Sequence, residues 1–164
     1  MNKLYILLGG NLGDKRKIFT DSIALLTEQL GSITAQSAIY ETEPWGFESE
    51  DLFWNQVLEI NCQLSPIEVL KKTQQIEAVL GRTREKQQYA SRLIDIDILF
   101  YGDQILALEN LTVPHPRIQE RKFVLVPLNE IAPEFIHPVY QKSISQLLNE
   151  CPDQLKVVKV QENE

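Results

Sequence analysis

The stretch Arg92-Leu93-Ile94-Asp95-Ile96-Asp97-Ile98-Leu99-Phe100 limits what this chain can fold into more than any other segment. Apolar and acidic residues alternate, and a period of two is that of a β-strand, whose successive side chains point to opposite faces. Ile94, Ile96, Ile98 and Phe100 are then expected on the core face. Asp95 and Asp97 share the other face, about 6.6 Å apart along the chain. Leu93 and Leu99 flank the acids on that face, which argues against a freely solvated one. Carboxylates so close raise each other's proton affinity unless a cation intervenes. A hard divalent ion with oxygen ligands solves this, and magnesium with nucleotide phosphates is the usual pairing. An amphipathic strand with a solvated acidic face is the plain alternative.

The elements around this strand follow from periodicity and punctuation. Residues 4–8 read as a buried strand, and a turn through Gly9-Gly10-Asn11-Leu12-Gly13-Asp14 leads to a helix with Ile18, Phe19, Ile23, Leu26 and Leu30 on one face. Gly31 closes that helix. Residues 33–40 predict a strand, residues 41–53 a loop, and Leu58, Ile60, Cys62 and Leu64 a half-buried strand. Ser65-Pro66-Ile67-Glu68 is a capping box with proline at the first helical position, and the helix behind it shows Ile67, Leu70, Ile76 and Leu80 before Gly81. Tyr101-Gly102-Asp103 predicts a turn, with residues 104–108 returning as hairpin partner of the Asp95 strand. Val113-Pro114-His115-Pro116 is a stiff loop. Residues 123–128 are apolar, residues 143–149 predict a short helix, and residues 156–160 a last strand. This order predicts one domain over residues 1–164, an α+β, ferredoxin-like sandwich with a mainly antiparallel sheet flanked by helices.

Charge narrows the partners. The net charge of −7 disfavours a broad nucleic-acid surface. The cations nevertheless gather in two places: Arg82, Arg84, Lys86 and Arg92 in one stretch, and Arg117, Arg121 and Lys122 in another. An acidic protein that concentrates its arginines in this way suits a small polyanion, since the guanidinium fork donates two hydrogen bonds to phosphate at once. No run approaches the roughly 20 apolar residues of a membrane helix. Cys62 and Cys151 are too few and too distant for a disulfide framework, and the N-terminus has no signal-peptide pattern. A cytoplasmic protein, monomeric and without nucleic-acid or membrane partners, is the expectation.

Six segments, read together, resemble a known family: Gly9-Gly10-Asn11-Leu12-Gly13-Asp14, Tyr40-Glu41-Thr42-Glu43-Pro44, Phe53-Trp54-Asn55, the Arg92–Leu99 strand, Val113-Pro114-His115-Pro116-Arg117 and Arg121-Lys122-Phe123-Val124-Leu125-Val126-Pro127-Leu128. In order and content they resemble the pterin pyrophosphokinases of folate biosynthesis. The resemblance implies transfer of pyrophosphate from ATP to 6-hydroxymethyl-7,8-dihydropterin, with Asp95 and Asp97 holding two magnesium ions. It implies triphosphate contacts for Arg82, Arg84, Arg92, His115 and Arg121, with Gln74, Glu77, Ile98 and Thr112 beside the nucleotide. Phe53 and Phe123 would sandwich the pterin ring; Thr42, Glu43, Trp45 and Asn55 would read its edge. The chain departs from the family in having Gly10 where Ser is usual, and Tyr89-Ala90-Ser91 where Trp-Gly-Pro is common. From the residues alone, another two-metal phosphoryl or nucleotidyl transferase, or a non-catalytic α+β binding module, is the competing reading.

Residues 82–91 carry charge and almost no apolar surface, so the sequence predicts that they close over a ligand that supplies counter-charge. Hydrogen exchange over residues 82–91 is expected to slow when ATP and pterin are both bound; equal protection with and without ligands would exclude closure.

Overall fold

The computed structural model describes residues 2–43, 52–81 and 93–161. The arginine-rich segment with Arg82, Arg84, Lys86 and Arg92, the expected closure of residues 82–91, Tyr89 and Trp45 lie outside the described residues.

The sheet is built on β1 (Asn2–Gly10), which runs antiparallel to β4 (Phe53–Cys62) on one side and to β5 (Asp95–Tyr101) on the other. β2 (Gly31–Gln36) and β3 (Tyr40–Thr42) pair in turn with the far side of β4, and β8 (Val158–Lys159) pairs with β3. β6 (Leu106–Leu108) and β7 (Leu111–Val113) form a separate ribbon. Helices α1 (Lys15–Gln29) and α2 (Pro66–Val79) cover one face; α3 (Lys122–Ile131) and α4 (Ile144–Glu150) cover the other. The expected ferredoxin-like sandwich is the fold observed.

Each face has its own core. Leu4, Ile6 and Leu8 of β1 meet Phe19, Leu26, Val69 and Ile76 from α1 and α2. Tyr5 and Leu7 point the other way, to Val124, Leu125, Leu128 and Ile144. Burial of each such side chain contributes roughly 1.5–3 kcal/mol, and β1, like its neighbours β4 and β5, contributes to both cores. The Ser65–Glu68 capping box forms reciprocally as read, and Asp14, read only as part of a turn, caps α1 by accepting the Lys17 N–H. Gly31 has φ +148, and a Cβ there would lie 2.1 Å from Asn61 O, so only glycine turns the chain from α1 into β2.

Several elements differ from expectation. The strand predicted over residues 33–40 is broken in two, because the Ser37 hydroxyl accepts the Val57 N–H at 3.0 Å and donates to Ala38 O at 2.7 Å. A side chain thus takes a ladder position, and the chain leaves β2 to rejoin β4 as β3. Glu41 and Thr42, expected in a loop, belong to β3, and β4 begins at Phe53 rather than near Leu58. β4 is also buried on both faces, because its polar residues find partners: Glu59 accepts from the Tyr5 and Thr34 hydroxyls. On α2 the buried positions are Val69, Thr73, Ile76 and Glu77, with Ile67, Leu70 and Leu80 at the margin. Residues 104–108 do not pair with β5; Leu106–Leu108 turns back on Leu111–Val113 instead.

The largest correction concerns β5. Ile98 pairs with Ile6 but Phe100 pairs with Tyr5, so Leu99 is an extra residue bulged out of the ladder. Phe100 therefore joins Leu99 in the α3 core while Ile94, Ile96 and Ile98 face α1 and α2. Leu93 precedes the strand and packs beside Gly13 and Gly81, on the helix side and away from the acids.

Beyond α3, His137 is 2% exposed against Phe100 and Tyr140, and its Nδ1 accepts the N–H groups of Val139 and Tyr140. Burial pushes its pKa from 6.5 down to about 4. The neutral form is thus the folded one, and its contribution is complete above pH 6.5 and lost as pH falls toward 4. By linkage this is worth up to about 3 kcal/mol. Urea unfolding of wild type between pH 7 and pH 4 should show that loss, and His137→Asn should flatten it; parallel curves would remove His137 as a contributor.

Candidate active site

Directly opposed residues in antiparallel strands share a face. Gly9 pairs with Asp95 on one side and with Asn55 on the other, and Asn55 pairs onward with Tyr40. Leu7 similarly lies between Asp97 and Val57. Leu7, Val57 and Leu99 belong to the α3 core, so Asp95, Asp97, Gly9 and Asn55 all lie on the α3 face of the sheet. The acids are half-buried, as expected for a pair that is neither core nor free surface.

Gly9 is the low point of this row. A Cβ built there would stand 3.3 Å from Asn55 Oδ1, so a side chain would crowd the floor between the acids and the Asn55 amide. Asn55 and Thr42 are 3% and 4% exposed, and Asn55 Nδ2 lies 3.5 Å from Thr42 Oγ1. Phe53 pairs with Thr42 at the end of the same face. Phe123 sits on the first turn of α3, in the layer that covers this face. Glu43 is exposed at the end of β3.

The cations approach from the segment linking β7 to α3. His115 is tied to β5 by its N–H, which donates to the bulged Leu99 O at 3.0 Å. Its Nδ1 accepts the Arg117 N–H at 3.3 Å, which leaves Nε2 to carry the ring proton. Burial, then the Arg121 charge, pushes its pKa to about 4 against the pull of Asp95. The ring is therefore a neutral donor at neutral pH. Arg121 has its Nε buried without a hydrogen-bond partner among the described residues, and its guanidinium carbon lies 5.7 Å from the Phe123 ring centre. Burial and Arg117 lower its pKa, while Asp97, Glu120 and Asp95 oppose them. Arg117 itself is exposed and paired with Glu120.

The outer edge of β5 holds a second group. Glu77, 6% exposed on α2, accepts the Ile96 N–H on Oε2 at 2.7 Å. A solvated residue is thus ruled out for Glu77, whereas Gln74, one turn earlier, is exposed. Ile98 follows two residues on along the same strand, and Thr112 is exposed on β7.

Comparison with known proteins now decides the family. The profile of 7,8-dihydro-6-hydroxymethylpterin-pyrophosphokinase (HPPK) matches residues 5–133. The chain belongs to the HPPK family. A relative named 2-amino-4-hydroxy-6-hydroxymethyldihydropteridine pyrophosphokinase from Bacillus subtilis is 46% identical over 131 residues, 79% of this chain and 78% of the relative. Its counterpart from Aquifex aeolicus is 40% identical over 146 residues, covering 89% and 90%. The HPPK-DHPS structure of Plasmodium falciparum with pteroate superposes with a TM-score of 0.75 over 91% of this chain, at 19% identity, and shares its fold. This chain spans 42% of that larger protein.

HPPK enzymes use ATP and magnesium, and the donors here suit that ion. Among the described residues no three or more His, Cys, Asp or Glu gather as a cage. A pair of carboxylates that leaves the remaining positions to phosphate and water is the way magnesium is commonly held. Sequence reasoning treated Gly9 as part of a turn. Its signal was the small residue in the row of Asp95, legible only with the register.

Gly9→Ala should fold, with stability changed by about 1–3 kcal/mol, and should lose most of its turnover. Undiminished turnover would show that the Gly9 floor is not part of the reacting site.

Proposed function

We propose that the chain transfers the β,γ-pyrophosphoryl group of ATP to the hydroxymethyl group of 6-hydroxymethyl-7,8-dihydropterin, releasing AMP, with Asp95 and Asp97 holding two magnesium ions. The row Asp95–Gly9–Asn55 carries this reading, because it lays a carboxylate pair and a buried amide on one open floor. When bound, the metal ions neutralise phosphate charge and orient the bridging oxygens. The protein's part is to hold the two substrates in line and to exclude water.

The pterin lies between Phe53 and Phe123, where aromatic faces stack on a flat heterocycle. Asn55, Thr42 and the chain from Glu43 to Trp45 read its hydrogen-bonding edge. The hydroxyl oxygen attacks the β-phosphorus and gives up its proton to solvent, the bond from that phosphorus to the α,β-bridging oxygen breaks, and that oxygen departs with AMP. His115, neutral and donating from Nε2, and Arg121, with a buried N–H to offer, contact the triphosphate from one side. Arg82, Arg84 and Arg92 are assigned to the same triphosphate by their motif in the sequence. Gln74, Glu77, Ile98 and Thr112 frame the nucleoside at the edge of β5. Glu77, fixed by the Ile96 N–H, has its carboxylate set there. The chain acts as one domain over residues 1–164, as a monomer in the cytoplasm. A reducing compartment agrees with the free thiols of Cys62 and Cys151.

Phosphorus NMR of the protein with ATP, magnesium and the reduced hydroxymethylpterin should show AMP and a pterin diphosphate; ADP would mean a simple kinase. Asp95→Ala and Asp97→Ala should each fold and keep less than about a tenth of wild-type turnover, a loss above ~1.4 kcal/mol. Higher residual activity at saturating magnesium would remove the metal assignment. Phe53→Ala or Phe123→Ala should weaken pterin binding by about 1–3 kcal/mol with nucleotide binding nearly intact; equal losses for both ligands would make these residues supports of the fold.

A further inference from the structure

β3 is three residues long, and its ladder with β4 is Tyr40–Asn55, Glu41–Trp54 and Thr42–Phe53. Thr42, Asn55 and Phe53 are the residues read above as recognising the pterin. So short a ladder has few backbone bonds to hold its geometry. On the reverse face, Trp54 Nε1 donates to Glu41 Oε2 at 3.0 Å, a charge-assisted tie between the same two strands. Successive side chains alternate, so this tie lies behind the middle of the recognition edge.

Trp54 is also gripped from α1. Lys15 Nζ stands 5.0 Å and the Arg16 guanidinium carbon 5.1 Å from the indole centre, both within cation–π range. Lys15 Nζ donates as well to Leu52 O at 3.0 Å, the residue just before Phe53. Phe19 meets the indole edge-on at 6.1 Å. Gly10 pairs with Trp54 across β1, so no side chain stands on the other strand at that position. The pairing sets Gly10 beside the bulky indole.

We infer that Trp54, tied to Glu41 and capped by Lys15, is a positioning residue for the pterin: it fixes the spacing of Thr42, Phe53 and Asn55 from the opposite face. The inference rests on the proposed reading of those three residues. Trp54 touches no substrate; it acts through the backbone of β4 and β3. Among the described residues the tie makes no bond to β5 or His115, so nucleotide affinity is expected to be independent of it.

Titration calorimetry with the reduced hydroxymethylpterin, in saturating magnesium and a non-hydrolysable ATP analogue, tests this. Glu41 is half-buried and fills no core, so Glu41→Ala removes the tie without opening a cavity. Trp54→Phe keeps an aromatic ring and loses the N–H. Each should raise the pterin Kd about tenfold, the scale of one lost hydrogen bond to a charged acceptor. The analogue's Kd should stay at its wild-type value. Glu41→Gln, which keeps an acceptor oxygen, should restore most of the pterin affinity, and the double variant should be no worse than either single one. Pterin affinity unchanged in Glu41→Ala, or pterin and nucleotide affinities falling together, would overturn the inference while leaving the site intact. Wild-type protein that fails to bind pterin would overturn the reading of the site itself.

Discussion

β1 hydrogen-bonds to β4 along its length and to β5 along most of its own, and the rest of the molecule hangs on this double pairing. The pairing fixes which residues stand side by side. Because the side-chain period is two, a slip of one residue against either neighbour would carry Asp95 or Asn55 to the helix side. The slip is opposed by both cores at once. Leu4, Ile6 and Leu8 would be moved into the α3 layer, and Tyr5 and Leu7 into the α1–α2 layer. Precision at the polar row is therefore supplied by apolar packing below and above it. The site itself contains little that could hold it in register.

The bulge at Leu99 lets one strand meet conflicting demands. Before it, β5 alternates strictly, with isoleucines to one core and aspartates to the site. After it, Leu99 and Phe100 both serve the α3 core, and Tyr101 returns to the other. The displaced Leu99 carbonyl then receives the His115 N–H, so the irregularity that completes the core also anchors a site residue. Tyr5, Phe100, Phe135 and His137 pack in edge and tilted contacts beyond it, which makes this end of the molecule aromatic.

What was legible in the sequence was whatever depends on neighbours in the chain. The Asp95–Asp97 alternation and the Ser65–Glu68 box are local patterns, and each stands as read. What was not legible depends on a distant partner. The break at Ser37 needs Val57 to offer its N–H. The doubly buried β4 needs Tyr5 and Thr34 to satisfy Glu59. The bulge is visible only as a mismatch between β1 and β5. Residues 104–108 were assigned to the wrong partner because turn residues announce a reversal without naming the strand that receives it. Glu77 and Gln74, a turn apart on one helix, are indistinguishable by pattern; only β5 beside them makes one buried and the other exposed.

β5 is the border of the sheet, and an unpaired border is where β proteins stick to one another. Here the border is occupied. Glu77 takes the Ile96 N–H and His115 gives its own to Leu99 O, so a passing strand finds a carboxylate and a proline-flanked histidine in its way. A bare edge would otherwise be a template for self-association. Glu77 and His115 thus shield the border from a second strand, and replacing them is expected to carry a solubility cost.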